Sequence, residues 1–337
     1  MKWETLWRRA SPILAPLSWP YAWAAARRRR NWMERAERVS VPVISVGNLS
    51  CGGTGKTPAV EAVVRDLLEM GRKPCILSRG YGATEDSAPN DEYRVLEANL
   101  PDVPHLQGAD RVAIAKQAIA DGADVLVLDD GFQHVRLARD LDYVLIDASE
   151  PLLNDRVLPA GRLRESRDAL RHASLFGITR VELTPGAELT RLLSYLEESF
   201  PETPRLQIET VACGWSDLDG GVAELGALKG EPAIAFCGIG NPEAFFRQLE
   251  ATGIELRDRV AFRDHHPYSP NDVHQIEARA DAAGVSWILC TQKDAVKLAG
   301  STRPKDPSRF RFLKILQALR EGEDDYLRVL KAALDRS

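Results

Sequence analysis

The stretch that decides the fold is Ser50-Cys51-Gly52-Gly53-Thr54-Gly55-Lys56-Thr57. An apolar run at 41–46 precedes it and an amphipathic pattern at 57–70 follows it, which predicts a strand, a glycine-rich loop and a helix. In loops of the G-x-x-x-x-G-K-[ST] type, backbone N–H groups surround phosphate oxygens, the lysine contacts the β- and γ-phosphates, and the hydroxyl holds Mg²⁺. Ser50 replaces the first glycine, but Lys56 and Thr57 are intact. The loop predicts nucleotide binding.

A magnesium ion needs a further oxygen ligand from the protein. Asp129 and Asp130 end the apolar run at 125–128, as in the Walker B arrangement, so we predict metal ligation by Thr57, Asp129 and Asp130. A lone aspartate after a buried strand is more often a helix cap. Two in succession, followed by G-F-Q-H at 131–134, favour a functional site.

The pattern of apolar runs predicts an α/β fold. Runs at 41–46, 74–78, 125–128, 143–146 and 174–178 alternate with helical patterns at 57–70, 109–121 and 187–200, which indicates a P-loop NTPase-like parallel sheet with helices on both faces. Apolar runs at 233–236 and 286–290 and helical patterns at 242–252 and 322–335 indicate a smaller carboxyl-terminal α/β domain. We therefore expect an amino-terminal segment at 1–38, a P-loop domain at 39–205, linker strands at 206–230 and a smaller domain at 231–337.

Charge and aromatic residues are concentrated at the amino terminus. The chain has a net charge of −5, which argues against a duplex nucleic acid partner, yet residues 1–40 hold nine basic and three acidic side chains. Five of the seven tryptophans are also there, namely Trp3, Trp7, Trp19, Trp23 and Trp32. The apolar stretch at 12–26 is short and contains three prolines, so it is not expected to cross a bilayer. The segment is predicted to be helical and to lie on a membrane surface, the alternative being an arm that packs its aromatics on the domain.

Six blocks of sequence resemble one known family. They are V-G-N-L at 46–49, S-R-G-Y-G at 78–82, D-D-G-F-Q-H at 129–134, L-P-A-G-R-L-R-E at 158–165, F-R-D-H-H at 262–266 and T-Q-K-D-A-V-K at 291–297. In this order, together with the phosphate loop, they resemble the tetraacyldisaccharide 4′-kinase (lipid A 4′-kinase) family as far as about residue 298.

The resemblance implies a reaction and a location. The family transfers the γ-phosphate of ATP, with Mg²⁺, to the 4′-hydroxyl of tetraacyldisaccharide 1-phosphate and forms lipid IVA. This implies a peripheral enzyme at the cytoplasmic face of the bacterial inner membrane. The lipid substrate and the membrane surface are the expected partners, with no nucleic acid and no obligate protein partner.

The resemblance also implies roles for particular residues. Asp91, in N-D-E-Y, matches the aspartate of a G-D-E-P motif that is proposed as the general base, although both flanking residues differ. His265 would pair with Asp91 across the cleft between the domains. Lys56 would act in catalysis, and the nucleotide would be held by loop residues 50–57 with Gln133, Arg164 and Glu165. Gln292 stands where a glutamate is expected, so a catalytic carboxylate is not predicted there.

Two other functions fit parts of the sequence. A membrane-recruited P-loop ATPase switch would hydrolyse ATP to change partners, but no second signature lysine lies between Ser50 and Lys56. A phosphotransferase acting on a soluble sugar or nucleotide would not need the tryptophan- and arginine-rich segment.

Overall fold

The computed structural model describes residues 3–80, 90–150 and 152–335, with side chains from residue 14 onward except that of residue 301. Tyr81 and Gly82 of the S-R-G-Y-G block lie outside the described residues, as do the side chains of Trp3 and Trp7.

The helices and strands alternate along most of the chain. The helices are α1 (Trp3–Met33), α2 (Lys56–Glu69), α3 (Asp91–Asn99), α4 (Arg111–Ala120), α5 (Gly186–Ser199), α6 (Pro242–Ala251), α7 (Pro270–Ala282), α8 (Gln292–Ala295) and α9 (Glu323–Leu334). The strands are β1 (Val43–Asn48), β2 (Pro74–Ser78), β3 (His105–Gln107), β4 (Val125–Asp129), β5 (Leu141–Asp147), β6 (Leu175–Thr179), β7 (Arg205–Ser216), β8 (Val222–Ala223), β9 (Pro232–Cys237), β10 (Glu255–Ala261), β11 (Trp287–Cys290) and β12 (Phe310–Glu321).

The chain divides into two compact units. The first, called here the phosphate-loop unit, comprises Met1–Tyr81, Leu100–Glu209 and Gln317–Ser337; the second comprises Gly82–Asn99 and Thr210–Leu316. The chain passes between the units near residue 81, near residue 99, within β7 and within β12.

The phosphate-loop unit is a parallel sheet in the order β3-β2-β4-β1-β5-β6, with the first residues of β7 beside β6. Strands β1, β2, β4 and β5 are buried at every position, which explains why their sequences are continuous apolar runs rather than alternating ones. Val144 of β5 packs in the same core cluster as Leu192 and Leu196 of α5. Its neighbour Tyr143 faces the ring of Tyr326 of α9 at 6.3 Å. Successive strand side chains point to opposite faces, so α5 and α9 cover opposite faces of the sheet, as predicted.

The second unit is built on four parallel strands in the order β10-β9-β11-β12. One core cluster packs α7 against β9 and β11, and another packs α6 against them. The sequence did not predict β10, because its residues alternate between exposed and half-buried positions and include charged side chains. Of the predicted linker strands at 206–230, residues 206–216 belong to β7, and after them Val222–Ala223 forms the short strand β8, which pairs with β7.

Two segments belong to a different unit from the one that the sequence predicted. Residues 91–99 form α3, which packs against α8 and therefore belongs with the carboxyl-terminal elements. Residues 317–337 return to the phosphate-loop unit, because Tyr326 of α9 packs on Tyr143 and donates a hydrogen bond to Asp66 of α2. A prediction that divides the chain into contiguous domains cannot place either segment in the unit to which it belongs.

The amino-terminal segment is one helix, α1, whose 31 residues run through Pro12, Pro16 and Pro20. The prolines recur every four residues, so the backbone N–H groups that they remove lie on one side of the helix. Ser18 attaches α1 to the rest of the phosphate-loop unit. Its hydroxyl donates to the carbonyl of Val157 at 2.7 Å and accepts from the N–H of Ala160 at 3.1 Å. Within the described residues, no helix is long and apolar enough to cross a membrane.

Candidate active site

The phosphate loop is attached to the neighbouring 162–164 segment by its backbone. The N–H of Cys51 donates to the carbonyl of Arg162 at 2.7 Å, and the N–H of Arg164 donates to the carbonyl of Leu49 at 2.8 Å. Ser50 and Leu163 form an antiparallel bridge between these two bonds. Ser50 thus occupies a paired, extended position, which does not require the glycine that the general loop pattern has there.

Three consecutive loop carbonyls are held by side chains from other parts of the unit. Arg180 donates to the oxygen of Gly53 at 2.6 Å, Thr179 donates to Thr54 at 3.1 Å, and Gln317 donates to Gly55 at 3.1 Å. In a trans peptide the following N–H points away from the carbonyl. The N–H of Thr54, which follows the Gly53 carbonyl, donates to the carbonyl of Gly52 at 3.1 Å. The N–H groups that follow the Thr54 and Gly55 carbonyls point away from the side chains that hold those carbonyls, where phosphate oxygens could accept from them.

Gly55 directly precedes helix α2 and has a backbone conformation that other residues rarely adopt. Its φ is 84°, in the left-handed region, and a Cβ there would lie 2.9 Å from Nε2 of Gln317. No side chain caps this end of α2. The first-turn N–H groups and the positive end of the helix dipole are thus available to an anionic ligand.

Lys56 and Asp130 lie together beside the loop. The Nζ atom of Lys56 is 3.4 Å from Oδ1 of Asn48 and 3.6 Å from Oδ1 of Asp130. Arg164 donates to both carboxylate oxygens of Asp130, at 2.9 and 2.7 Å. Burial alone would raise the pKa of Asp130, but the charges of Lys56 and Arg164 outweigh it and lower that pKa. Asp130 is therefore ionised and bound to two cations.

Thr57 and Asp129, two of the predicted metal ligands, are both buried. Asp129 ends β4 opposite Val46 of β1, two residues before β1 ends and the phosphate loop follows. Their hydroxyl and carboxylate oxygens are ligands that Mg²⁺ prefers, so the residues present fit that ion. Asp130, the third predicted ligand, already binds Lys56 and Arg164.

A second polar cluster surrounds Asp91 at the start of α3. Both oxygens of the Asp91 carboxylate lie 3.0 Å from Nδ1 of His265. Nζ of Lys297 lies 3.0 Å from one of them. The side chain of Asp91 is 5% exposed and that of His265 is 53% exposed, so the histidine forms the accessible end of the pair.

The electrostatics of this pair are coupled. Burial by itself would raise the pKa of Asp91, but the hydrogen bond from His265 and the charges of Lys297 and Lys293 lower it well below its usual range. The hydrogen bond to Asp91 raises the pKa of His265 despite burial. Asp91 is thus a weak base, and the structure does not supply the upward tuning that a carboxylate base would need.

The pairing of His265 with Asp91 was expected to cross between domains, which is wrong, because both residues belong to the second unit. The helix α3 that carries Asp91 packs on α8. Lys293 of α8 contacts Glu92 at 2.7 Å, and Gln292 exchanges amide hydrogen bonds with Asn99 at 2.7 and 3.3 Å. The amide of Gln292 therefore connects α8 to the end of α3.

The buried residue Asp294 stabilises the backbone next to this cluster. It is fully buried and accepts from the N–H of Gly238 at 3.0 Å, from the Tyr268 hydroxyl at 2.8 Å and from the Thr291 hydroxyl at 2.6 Å. The carbonyl of Gly238 in turn accepts from the N–H of His265, whose φ of 55° is unusual for a residue other than glycine. Asp294 thus fixes the turn that presents His265.

The remaining predicted residues lie in the phosphate-loop unit. Gln133 donates to the carbonyl of Asn48 at 2.9 Å and accepts from Arg164 at 3.2 Å. Glu165 was predicted at the nucleotide, but both of its carboxylate oxygens accept from the Arg29 guanidinium. Burial and nearby arginines lower the pKa of His134 to about 4, so it is neutral at pH 7.

Sequence reasoning did not identify four residues that the structure places at these sites. They are Arg29, Arg180, Lys297 and Gln317. Lys297 could have been found from its helical spacing to Lys293 and Asp294. The other three make contacts over long sequence separations, for which no local signal exists.

The fold and the loop define a P-loop phosphotransferase: a parallel α/β sheet with a glycine-rich loop, a lysine and two aspartates at its carboxyl edge. The sequence model described as "Tetraacyldisaccharide-1-P 4'-kinase" matches residues 10–334. The chain therefore belongs to the tetraacyldisaccharide 4′-kinase family, and the expected resemblance is confirmed.

Relatives and a solved structure agree with this assignment. The chain is 40% identical over 319 residues to the tetraacyldisaccharide 4′-kinase of Anaeromyxobacter sp. (strain K), covering 89% of this chain and 82% of that one. It is 38% identical over 309 residues to that of Geobacter metallireducens, with 85% and 88% covered. The crystal structure of LpxK from Aquifex aeolicus in complex with ATP superposes with a TM-score of 0.72 at 27% identity, covering 96% of this chain and 99% of that one.

Proposed function

We propose that this chain transfers the γ-phosphate of ATP to the 4′-hydroxyl of tetraacyldisaccharide 1-phosphate, forming lipid IVA in lipid A biosynthesis. The observation that carries the proposal is the buried Lys56 ammonium beside Asp130, at the start of a helix that no side chain caps. Family membership selects the lipid disaccharide among the acceptors that a P-loop kinase could use.

In the proposed reaction, the 4′-oxygen forms a bond to the γ-phosphorus while the bond from that phosphorus to the β,γ-bridging oxygen breaks, and ADP leaves. Loop N–H groups and Lys56 bind the phosphates and offset the developing charge. Thr57 and Asp129 would hold Mg²⁺, which supplies further charge neutralisation at the phosphate oxygens when bound. Arg164 keeps Asp130 ionised and in place beside Lys56.

The hydroxyl proton has to be accepted by a protein group. We assign it to Nε2 of His265, with Asp91 orienting the ring through Nδ1. Two observations support this division of roles over one in which Asp91 is itself the base. Asp91 is buried and its pKa is lowered, whereas His265 is half exposed and its pKa is raised by the hydrogen bond to Asp91. A base works best when its pKa is near the working pH.

We also propose that α1 holds the enzyme on the cytoplasmic surface of the inner membrane. Leu17, Trp19, Tyr21 and Trp23 are all more than 40% exposed on this helix. Tryptophan and tyrosine favour the headgroup region, and arginines are attracted to anionic lipid. A substrate with four acyl chains stays in the bilayer, so an enzyme acting on it benefits from residing there.

The test of the kinase proposal is a transfer assay in mixed micelles with Mg²⁺, γ-labelled ATP and tetraacyldisaccharide 1-phosphate. We expect label in the lipid, lost in Lys56→Ala and strongly reduced in His265→Ala. Lys73→Ala serves as the matched control, because Lys73 is exposed and precedes β2 rather than α2. Label released only as inorganic phosphate would refute the proposal in favour of an ATPase switch. Equal rates on a soluble sugar would refute the lipid acceptor.

Membrane binding is tested separately with vesicles. Trp19→Ala/Trp23→Ala should reduce the fraction bound to vesicles that contain phosphatidylglycerol. Leu68→Ala, which removes an exposed apolar side chain from α2 instead, should not. Equal binding of both variants and the native protein would contradict the assignment of α1 to the membrane.

A further inference from the structure

The four consecutive arginines Arg27, Arg28, Arg29 and Arg30 do not share one environment. Arg27, Arg28 and Arg30 are exposed, whereas Arg29 is only 5% exposed. From the sequence alone, the four arginines form a single basic cluster suited to a membrane surface. The structure separates one member of the run from the others and turns it into the phosphate-loop unit.

Arg29 contacts two loops at once. Its Nε and one terminal nitrogen donate to the two carboxylate oxygens of Glu165 at 3.0 and 2.5 Å. The same terminal nitrogen donates to the carbonyl of Phe132 at 2.8 Å. The guanidinium carbon lies 4.4 Å from the centre of the Phe132 ring. This arrangement uses the planar fork of arginine and could not be reproduced by a lysine.

The two loops that Arg29 joins are those that carry the polar groups beside Lys56. Glu165 directly follows Arg164, which binds Asp130 through both carboxylate oxygens. Phe132 lies two residues after Asp130 and directly before Gln133, which accepts from Arg164. Both loops therefore meet at the Arg164–Asp130 pair on one side and at Arg29 on the other.

We propose that Arg29 is a positioning residue of the nucleotide site, through which α1 holds Arg164 and Asp130 in register with Lys56. Glu165 acts in the same way, as the partner of Arg29 and not as a direct ligand of the nucleotide. Helix α1, which we propose binds the membrane surface, is thus also a structural part of the phosphate-binding site. The inference rests on the proposed function for its catalytic consequence, but its effect on nucleotide binding is independent of the acceptor.

The test compares Arg29→Met, Arg29→Lys and Arg30→Ala as full-length proteins. ATP affinity is measured by calorimetry in detergent without lipid, and kcat and KM are measured by the transfer assay in mixed micelles. Arg29→Met should weaken ATP binding about tenfold and lower kcat, because small displacements of a catalytic group carry large rate penalties. Arg29→Lys should bind ATP more weakly than the native protein and at best somewhat more tightly than Arg29→Met, since lysine keeps the charge but not the two-pronged hydrogen bonding of the guanidinium. Arg30→Ala should bind ATP within about twofold of the native protein, because Arg30 is exposed on the same helix.

Arg29→Met leaves the buried Glu165 carboxylate without its partner and could for that reason fold poorly. A double variant then keeps the proposal falsifiable. Arg29→Met/Glu165→Gln removes both buried charges and is expected to fold. It should bind ATP as weakly as Glu165→Gln alone, because the two residues act through one contact. Strictly additive losses, or native ATP affinity in the folded double variant, would overturn the proposal. Failure of the native protein to phosphorylate the lipid while ATP binding still depended on Arg29 would reject the proposed function and leave this inference standing.

Discussion

Gln317 donates a hydrogen bond from Nε2 to the main-chain carbonyl of Gly55 at 3.1 Å, although 262 residues separate the two in sequence. The contact brings the end of β12 to the start of the first helix after the phosphate loop. It fixes one of the three carbonyls whose orientation decides where the loop N–H groups point.

Gln317→Ala should therefore weaken ATP binding about fivefold, because one neutral hydrogen bond contributes about 1 kcal/mol net. Calorimetry with ATP and Mg²⁺ measures the change. Gln207→Ala is the matched control, since Gln207 lies on β7, where its amide bonds the exposed Glu321 and not the loop. Equal affinities for the two variants would mean that the loop keeps its conformation without Gln317.

Arg180→Ala should raise the KM for ATP by about tenfold or more. Arg180 holds the carbonyl of Gly53 and pairs with buried Asp147, and its φ of 58° indicates a backbone kept in place by its surroundings. Removing it frees the loop and leaves Asp147 buried without its cation, which should also cost about 3 kcal/mol of stability.

Arg180→Lys separates the two effects, because it restores the charge beside Asp147 but not the geometry towards Gly53. We expect stability close to native together with a raised KM. Arg191→Ala, at an exposed site on α5, should change neither quantity. A native KM in Arg180→Ala would exclude a role for this residue in shaping the loop.

The pH dependence of kcat should report on the Asp91–His265 pair. If His265 accepts the proton, only its neutral form is active, so kcat rises with pH through the pKa of His265. The hydrogen bond to Asp91 raises that pKa above its ordinary value of 6.5. Asp91→Asn removes the carboxylate, so the acid limb of the profile should move to lower pH while the maximal kcat falls.

The profile is measured in mixed micelles at saturating ATP, with binding of ATP to each variant as a control for folding. Complete loss of activity in Asp91→Asn at every pH, with native ATP binding, would assign the base to Asp91 itself. An unshifted acid limb would show that another group controls it.

Asp294→Ala should destabilise the second unit by about 3–5 kcal/mol, as expected when one partner of a buried charged network is removed. The change leaves the Tyr268 and Thr291 hydroxyls and the Gly238 N–H without their acceptor. Thermal unfolding followed by circular dichroism measures the loss. Asp281→Ala should cost less than about 1 kcal/mol, because its ion pair with Arg309 is largely exposed on the aspartate side. Similar losses in both variants would contradict the supporting role of Asp294.

The sequence by itself determined the class of fold, the phosphate loop and the family. Continuous apolar runs, a glycine-rich loop and the D-D-G-F-Q-H block are local patterns, and their meaning depends on backbone propensity and burial of neighbouring residues. Lys56, Thr57 and the two aspartates could be predicted because they lie at the end of a strand or in the first turn of a helix.

Only the tertiary structure decided which long-range partners complete these sites. It placed Asp91 and His265 in one unit, returned Gln317 to the phosphate loop, and selected Arg29 from a run of four identical residues. A side chain in such a run is distinguished only by what it packs against, and that depends on helix rotation and on loops far away in sequence. Composition and spacing carry no information about these contacts, because the contacts form only when the chain has folded.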